Sequence, residues 1–266
     1  QSTTTGYHLV AIGRNALAGN TTGFQNVAVG RACMEANTTG NVNTAIGQHA
    51  LLVNTTGAQN VAIGALALDA NTTANGNTAV GYGVLTDNTT GTFNASVGMD
   101  SLSDNTTGSY NTAMGRFTML RNTSGVQNSA FGSEALQVNT TGSYNVAMGW
   151  LALGANTTAG VNTAVGSWAL HTNSTGSSLT ACGHNSLGKN TTGGSNTAVG
   201  NYALHENTTA SNNAAVGTSA LQDCTTGAQN TAVGQQALRN STTASGMTAV
   251  GRNALGSITT ATNCVA

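Results

Sequence analysis

One spacing governs what this chain can fold into. A glycine that closes the segment Asn-Thr-Ala-Val-Gly, or a near copy of it, recurs at Gly13, Gly30, Gly47, Gly64, Gly81, Gly98, Gly115, Gly132, Gly149, Gly166, Gly183, Gly200, Gly217, Gly234 and Gly251. The step between successive glycines never changes, and no insertion or deletion interrupts it. A period held this strictly marks a repeat architecture in which each unit stacks on its neighbours. Seventeen residues are too few for the helical pairs of tetratricopeptide or ankyrin arrays, and Thr, Val, Ile and Asn favour strands and turns. The spacing therefore predicts an all-β fold, a parallel β-solenoid or β-roll of about 15 coils. Each coil is expected to hold one strand around Asn-Thr-Ala-Val and another around Ala-Leu. Residues 1–266 read as one repetitive shaft with no separate catalytic domain, roughly 70 Å long at strand spacing.

Within a unit the positions differ in strictness. The residue before the glycine is always Val, Ile, Met, Phe or Cys, and the one before that is Ala except at Ser96. Four residues after the glycine stands Leu, or Met at Met34 and Met119. Each unit thus supplies two sizeable aliphatic side chains, the first assigned to the inner wall of the coil. The invariant glycine is expected to need positive φ or to leave no room for a Cβ. The glycine of Asn-Thr-Thr-Gly gives way to Ala74, Ala159, Ala210, Ala244 and Ala261, so positive φ is expected to be convenient there rather than required. Two recurrent asparagines should stack into amide ladders at about 4.8 Å per turn. Of the paired threonines, one column should face water and the other should satisfy local backbone.

Composition narrows function more by exclusion. Lys+Arg number 7 against 8 Asp+Glu, which gives no electrostatic case for nucleic acid or an anionic membrane. No apolar run approaches the roughly 20 residues of a membrane helix. Proline is absent, as suits a backbone whose N–H groups all join ladders. The chain begins at Gln1 rather than Met and reads as a processed or excised segment. Cys33, Cys182, Cys224 and Cys264 form no C-x-x-C pair and read as isolated small hydrophobes.

Two large aliphatics per repeat make a thin core. Sharing it among chains would repair this, with the Ala-Val-Gly strand near a symmetry axis, and a trimer is a simple closed form. The segments NTAIGQHALLVNTTG (43–57) and NTAVGSWALHTNSTG (162–176) resemble the 17-residue shaft repeats of phage tail-fibre proteins, which often precede a self-cleaving intramolecular-chaperone domain. The A-[VI]-G-x-x-A-L portion is similar to the head repeats of trimeric autotransporter adhesins, a left-handed parallel β-roll of three chains. The resemblance implies a homotrimeric extracellular fibre on a virion or cell surface, structural rather than enzymatic, contributing to attachment. It needs no cofactor, and it leaves contact with a glycan or receptor to regions outside this chain.

Candidate chemistry is sparse. His8, His49, His171, His184 and His205 scatter over several slots; His171 and His205 share one but sit two turns apart, about 9–10 Å, too far for one zinc. Asp87 and Asp104 occupy one slot in adjacent turns and form a weak calcium candidate. The same slot holds Arg121, Lys189, Glu206 and Asp223, which reads as a charged ladder along one corner. Phe93, Tyr110 and Tyr144 share a slot and, with Trp150 and Trp168, offer either a sugar-stacking platform or scattered packing. Sequons for N-glycosylation fall at Asn20, Asn37, Asn54, Asn71, Asn88, Asn94, Asn105, Asn122, Asn139, Asn156, Asn173, Asn190, Asn207 and Asn240. They imply either a glycosylated self-assembling filament or turn chemistry that happens to spell a sequon. An ice-binding Thr face and a glycan-cleaving solenoid complete the readings; the latter lacks paired carboxylates.

Overall fold

The computed structural model describes residues 5–266; the first four, Gln1 among them, lie outside the described residues. They contain fifteen three-residue strands, from Val10–Ile12 and Val27–Val29 at a constant step to Thr248–Val250, and no helix. The chain divides into two compact units, one reaching Ser129 and the other Ala130–Ala266. Both are parallel β-solenoids with the same coil. In the first unit each strand pairs in parallel with its successor up to Thr112–Met114. In the second the same order runs from Val146–Met148 to Thr248–Val250. The register is strict, so that Ala28 sits beside Ala45 and Val29 beside Ile46.

Strand alternation sorts the side chains. The central residue of each three-residue strand after the first points into the coil, as at Ala28, Ala45 and Ala164, all fully buried. The Val or Ile after it points out, which corrects its expected place on the inner wall. The core is instead a column of Leu or Met four residues past the corner glycine, from Leu17 to Leu238, packed on small residues.

The expected second strand is also absent. Around Ala-Leu the backbone runs as consecutive turns, and all fifteen Leu and Met of this column have φ of +49° to +53°. Left-handed backbone costs a non-glycine residue roughly 1–2 kcal/mol. Full burial of the side chain, worth about 1.5–3 kcal/mol, offsets it. The turns still bond from coil to coil: Leu17 N–H donates to Cys33 O (3.1 Å), and Ala32 N–H donates to Arg14 O (2.8 Å). Pairing therefore survives where strand geometry does not.

Both expected reasons for the invariant glycine hold together. Its φ is +125° to +139°, a region closed to L side chains, and a Cβ on Gly166 would stand 2.6 Å from the Gly183 carbonyl oxygen. The glycine of Asn-Thr-Thr-Gly behaves differently. None of these has positive φ, contrary to expectation, and the constraint is space alone. A Cβ on Gly176 would meet the Gly193 carbonyl oxygen first, then Asn173 Oδ1 at 2.6 Å and Asn190 Nδ2 at 2.8 Å. Both kinds of glycine face the carbonyl of the next coil, so what separates them is φ: with ordinary backbone the turn position accepts Ala74 or Ala159 through a small shift between coils, whereas the corner glycine would also need a forbidden φ.

Candidate functional site

Two buried asparagine columns hold the interior together. In the Asn-Thr-Thr column Asn37 Nδ2 donates to Asn20 Oδ1 (2.8 Å) and to Gly40 O (3.1 Å), and Asn54 Nδ2 donates in turn to Asn37 Oδ1 (2.9 Å). The other column ties coils diagonally: Asn26 Nδ2 donates to the same Gly40 O (2.8 Å), while Asn43 N–H donates to Asn26 Oδ1 (2.9 Å). Each of these buried amides is thereby satisfied, as burial of polar groups demands. Where Ala replaces the turn glycine the next ladder bond lengthens to 3.2 Å, at Asn88–Asn71 after Ala74 and at Asn173–Asn156 after Ala159. The threonines divide as expected: Thr38 Oγ1 donates to Thr55 O (3.0 Å), and Thr39 is exposed. The exposed member makes one rank per face.

This geometry places the sequons. Asn20, Asn37, Asn54, Asn71, Asn88, Asn105, Asn122, Asn139, Asn156, Asn173, Asn190 and Asn207 are fully buried in the ladder, and Asn94 is buried in the second column. Their Nδ2 atoms, the point of glycan attachment, are interior hydrogen-bond donors. Asn240 alone is exposed.

The outer face of the strands carries the most regular surface feature. The residue before each corner glycine is apolar in every repeat and points outward: Ile46, Ile63, Val97, Met114, Met148, Val199, Val216 and Val233 are each more than a third exposed. Exposed Cys182 stands in this column. Two residues upstream a second outward column of Thr, Val, Ala or Ser runs beside it. The result is a narrow aliphatic strip on a parallel sheet, bordered by β-branched residues.

The charged edge shows attraction in one place and repulsion in another. Lys189 Nζ bonds both carboxylate oxygens of Glu206 at 2.8 Å. Asp104 has its pKa raised, first by burial and then by the neighbouring Asp87 carboxylate, with Ser103 and Arg121 opposing. Burial likewise raises Asp69, with Asp87 adding to it. Among the described residues no group of three His, Cys, Asp or Glu side chains is placed to hold a metal ion, and Asp87 and Asp104 lie on this repelling edge. The aromatic slot forms one stacked pair, Phe93 on Tyr110 at 5.4 Å, with Tyr144 exposed elsewhere.

Five residues past the corner glycine lies a position that sequence reasoning passed over. It is glycine at Gly154, Gly188 and Gly256, and cavities lie beside the last two. One, of about 300 Å³, is lined by Trp168, His171, Thr172, Asn185, Gly188, Lys189 and His205. Another, of about 290 Å³, surrounds Gly256 and includes Arg239 and Asn253. A histidine leans over the glycine in two of the three: a Cβ on Gly154 would stand 3.3 Å from His171 Nδ1, and one on Gly188 would stand 2.8 Å from His205 Nδ1 and against the Asn185 amide. The detectable signal is a double-length repeat, LGAN followed by WALH over 153–171 and LGKN followed by YALH over 187–205. Reading each histidine alone scatters them; reading them with the preceding glycine groups them.

No helix of the described residues is long and apolar enough to cross a membrane. Compared with known families and with curated proteins, the chain matches no family model and no curated sequence.

Proposed function

We propose that this chain is a non-enzymatic shaft segment of an extracellular fibre, in which three parallel copies pack their aliphatic columns around a common axis. Such a shaft contributes to attachment by holding a binding tip away from a virion or cell surface. The observation that carries the reading is the outward apolar side chain before the corner glycine in 15 of 15 repeats. A monomeric solenoid has no use for an unbroken exposed aliphatic strip, and contiguous apolar surface of this kind is what interfaces cover. The strip recurs at every level, so each added repeat extends the shared interface. Flanking Thr, Val and Ala are small enough for close approach, and the constant step keeps every level of a symmetric assembly in register.

The same reading makes the shaft bare of N-glycans at its ladder asparagines. A glycan on an interior Nδ2 would replace one of its two hydrogen-bonding hydrogens and force the coil open.

Native mass measurement and light scattering test the assembly, and Cys182 is an internal reporter because three-fold packing brings three copies to one level. A mass three times the 26.4 kDa chain, with Cys182-dependent disulfide dimers on mild oxidation, is expected. A single-chain mass up to about 100 μM, a concentration well above that at which a standard-size interface forms, would refute it.

A further inference from the structure

We propose that the cavity at Gly188 binds a single uncharged sugar ring, stacked against Trp168. This goes beyond the shaft reading and does not depend on it. Glycine takes a position that other coils fill with larger side chains, such as Leu52 and Leu120; the Asn185 amide and the His205 ring lean over it, and the cavity lies beside them against Trp168. Its volume of about 300 Å³ is at the small end of ligand sites and leaves room for one hydroxylated six-membered ring.

Its wall is rigid. Trp150 braces the Trp168 indole edge-on at 5.3 Å and 87°, and the His171 ring lies against it at 4.4 Å. An indole fixed on both sides presents apolar surface without losing side-chain freedom on binding.

The polar lining combines donors and acceptors without a net charge. Lys189 is compensated by Glu206 at 2.8 Å, so an anion would have to displace an existing ion pair, whereas a neutral ligand can use the ammonium hydrogen left over. The Asn185 side-chain amide makes no hydrogen bond among the described residues and offers both a donor and an acceptor. His205 is held in place by its Nδ1–H, which donates to Asn185 O at 3.2 Å, and Thr172 Oγ1 donates to Gly188 O at 2.9 Å. Hydroxyl groups, each donor and acceptor at once, match such a lining, while the flat C–H face of the ring matches the indole.

The test reads tryptophan fluorescence of the full chain, whose two tryptophans, Trp150 and Trp168, both belong to this wall. D-glucose, D-galactose, D-mannose and N-acetyl-D-glucosamine are titrated separately to about 100 mM, the range of weak single-ring binding, with sodium acetate and cyclohexanol as comparisons. At least one sugar is expected to give a saturable change. Gly188→Leu, a residue other coils carry at this position, should abolish it. The Asn185→Ala, Lys189→Ala double variant, which borrows the residues of Ala32 and Ala36 from another coil, should weaken it about tenfold or more and serves if the leucine variant fails to fold. No saturable response to any of the four sugars overturns the proposal. So does an equal response to acetate or cyclohexanol, or a response unchanged in the variants.

Discussion

Replacing Cys224 by Asn should stabilise the second unit, because it repairs a break already present in the amide ladder. The ladder runs from Asn139 to Asn207 within that unit, where Asn207 Nδ2 donates to Asn190 Oδ1 at 2.6 Å. The next two ladder positions are Cys224 and Ser241, and Asn207 Oδ1 and Ser241 Oγ are both buried without a partner. Cys224 itself contributes a weak thiol bond to Gly227 O at 3.3 Å, and burial pushes its pKa up to about 11, so it stays protonated. An Asn amide at 224 would donate to Asn207 Oδ1 and to Gly227 O, and its own oxygen would accept from Ser241 Oγ–H. Satisfying two buried orphans is worth about 1–2 kcal/mol each. Less the lost thiol contact and the desolvation of the new amide, the net gain is about 1–3 kcal/mol. A repeat array does not unfold as one two-state body, so native-state hydrogen exchange over residues 204–241 is the better assay. Exchange there should slow by roughly tenfold to a hundredfold, and Cys224→Ala, which repairs nothing, should leave it within about twofold. If the Asn and Ala variants exchange at the same rate, the ladder does not carry the stability assigned to it.

Two further outcomes follow from the same geometry. Gly166→Ala should cost at least about 3 kcal/mol because it adds a forbidden φ to a carbonyl contact, whereas Gly176→Ala, with ordinary φ at a slot where other coils carry Ala74 and Ala159, should cost no more than about 1 kcal/mol; equal losses in thermal melts would contradict the distinction between the two glycines. Asp69 and Asp104 have folded-state pKa values raised above the ordinary 3.8, so their stabilising contribution is complete below that value and is lost as pH rises through the folded values. Asp69→Asn should therefore be more stable than the parent chain at neutral pH, with the difference shrinking as the medium is acidified; a difference independent of pH would dismiss the repulsive edge.

The parts legible from sequence are those enforced by columns. A residue type repeated at every coil reports the same local environment fifteen times, which is why the corner glycines, the Asn ladders and the division of labour in the Thr pair could be read. What escaped lay in dihedral angles and in exceptions. A leucine in left-handed backbone, such as Leu17 or Leu153, leaves no mark in composition, because the cost is offset by burial that any leucine would seek. A turn at Ala-Leu therefore passes for a strand. The outward Val of Thr-Ala-Val was misplaced because apolar character favours both a coil interior and an exposed strip open to contact. The cavity at Gly188 goes with a glycine in a column of mostly larger residues and with the histidine of the next coil, a signal visible only when neighbouring coils are read in pairs.

The amide ladders also have a direction. In both asparagine columns the Oδ1 of one coil accepts from the coil after it, whether from the Asn54 side chain onto Asn37 or from the Asn43 backbone onto Asn26. A coil that has already closed therefore presents amide acceptors to its successor, together with forward donors such as Asn26 Nδ2, whose partner is Gly40 O of the next coil. Synthesis on the ribosome delivers residues in that same order. Each finished coil is a template whose unmet donors and acceptors find their partners in the next repeat to emerge, so vectorial folding, one coil at a time, meets a matching surface at every step.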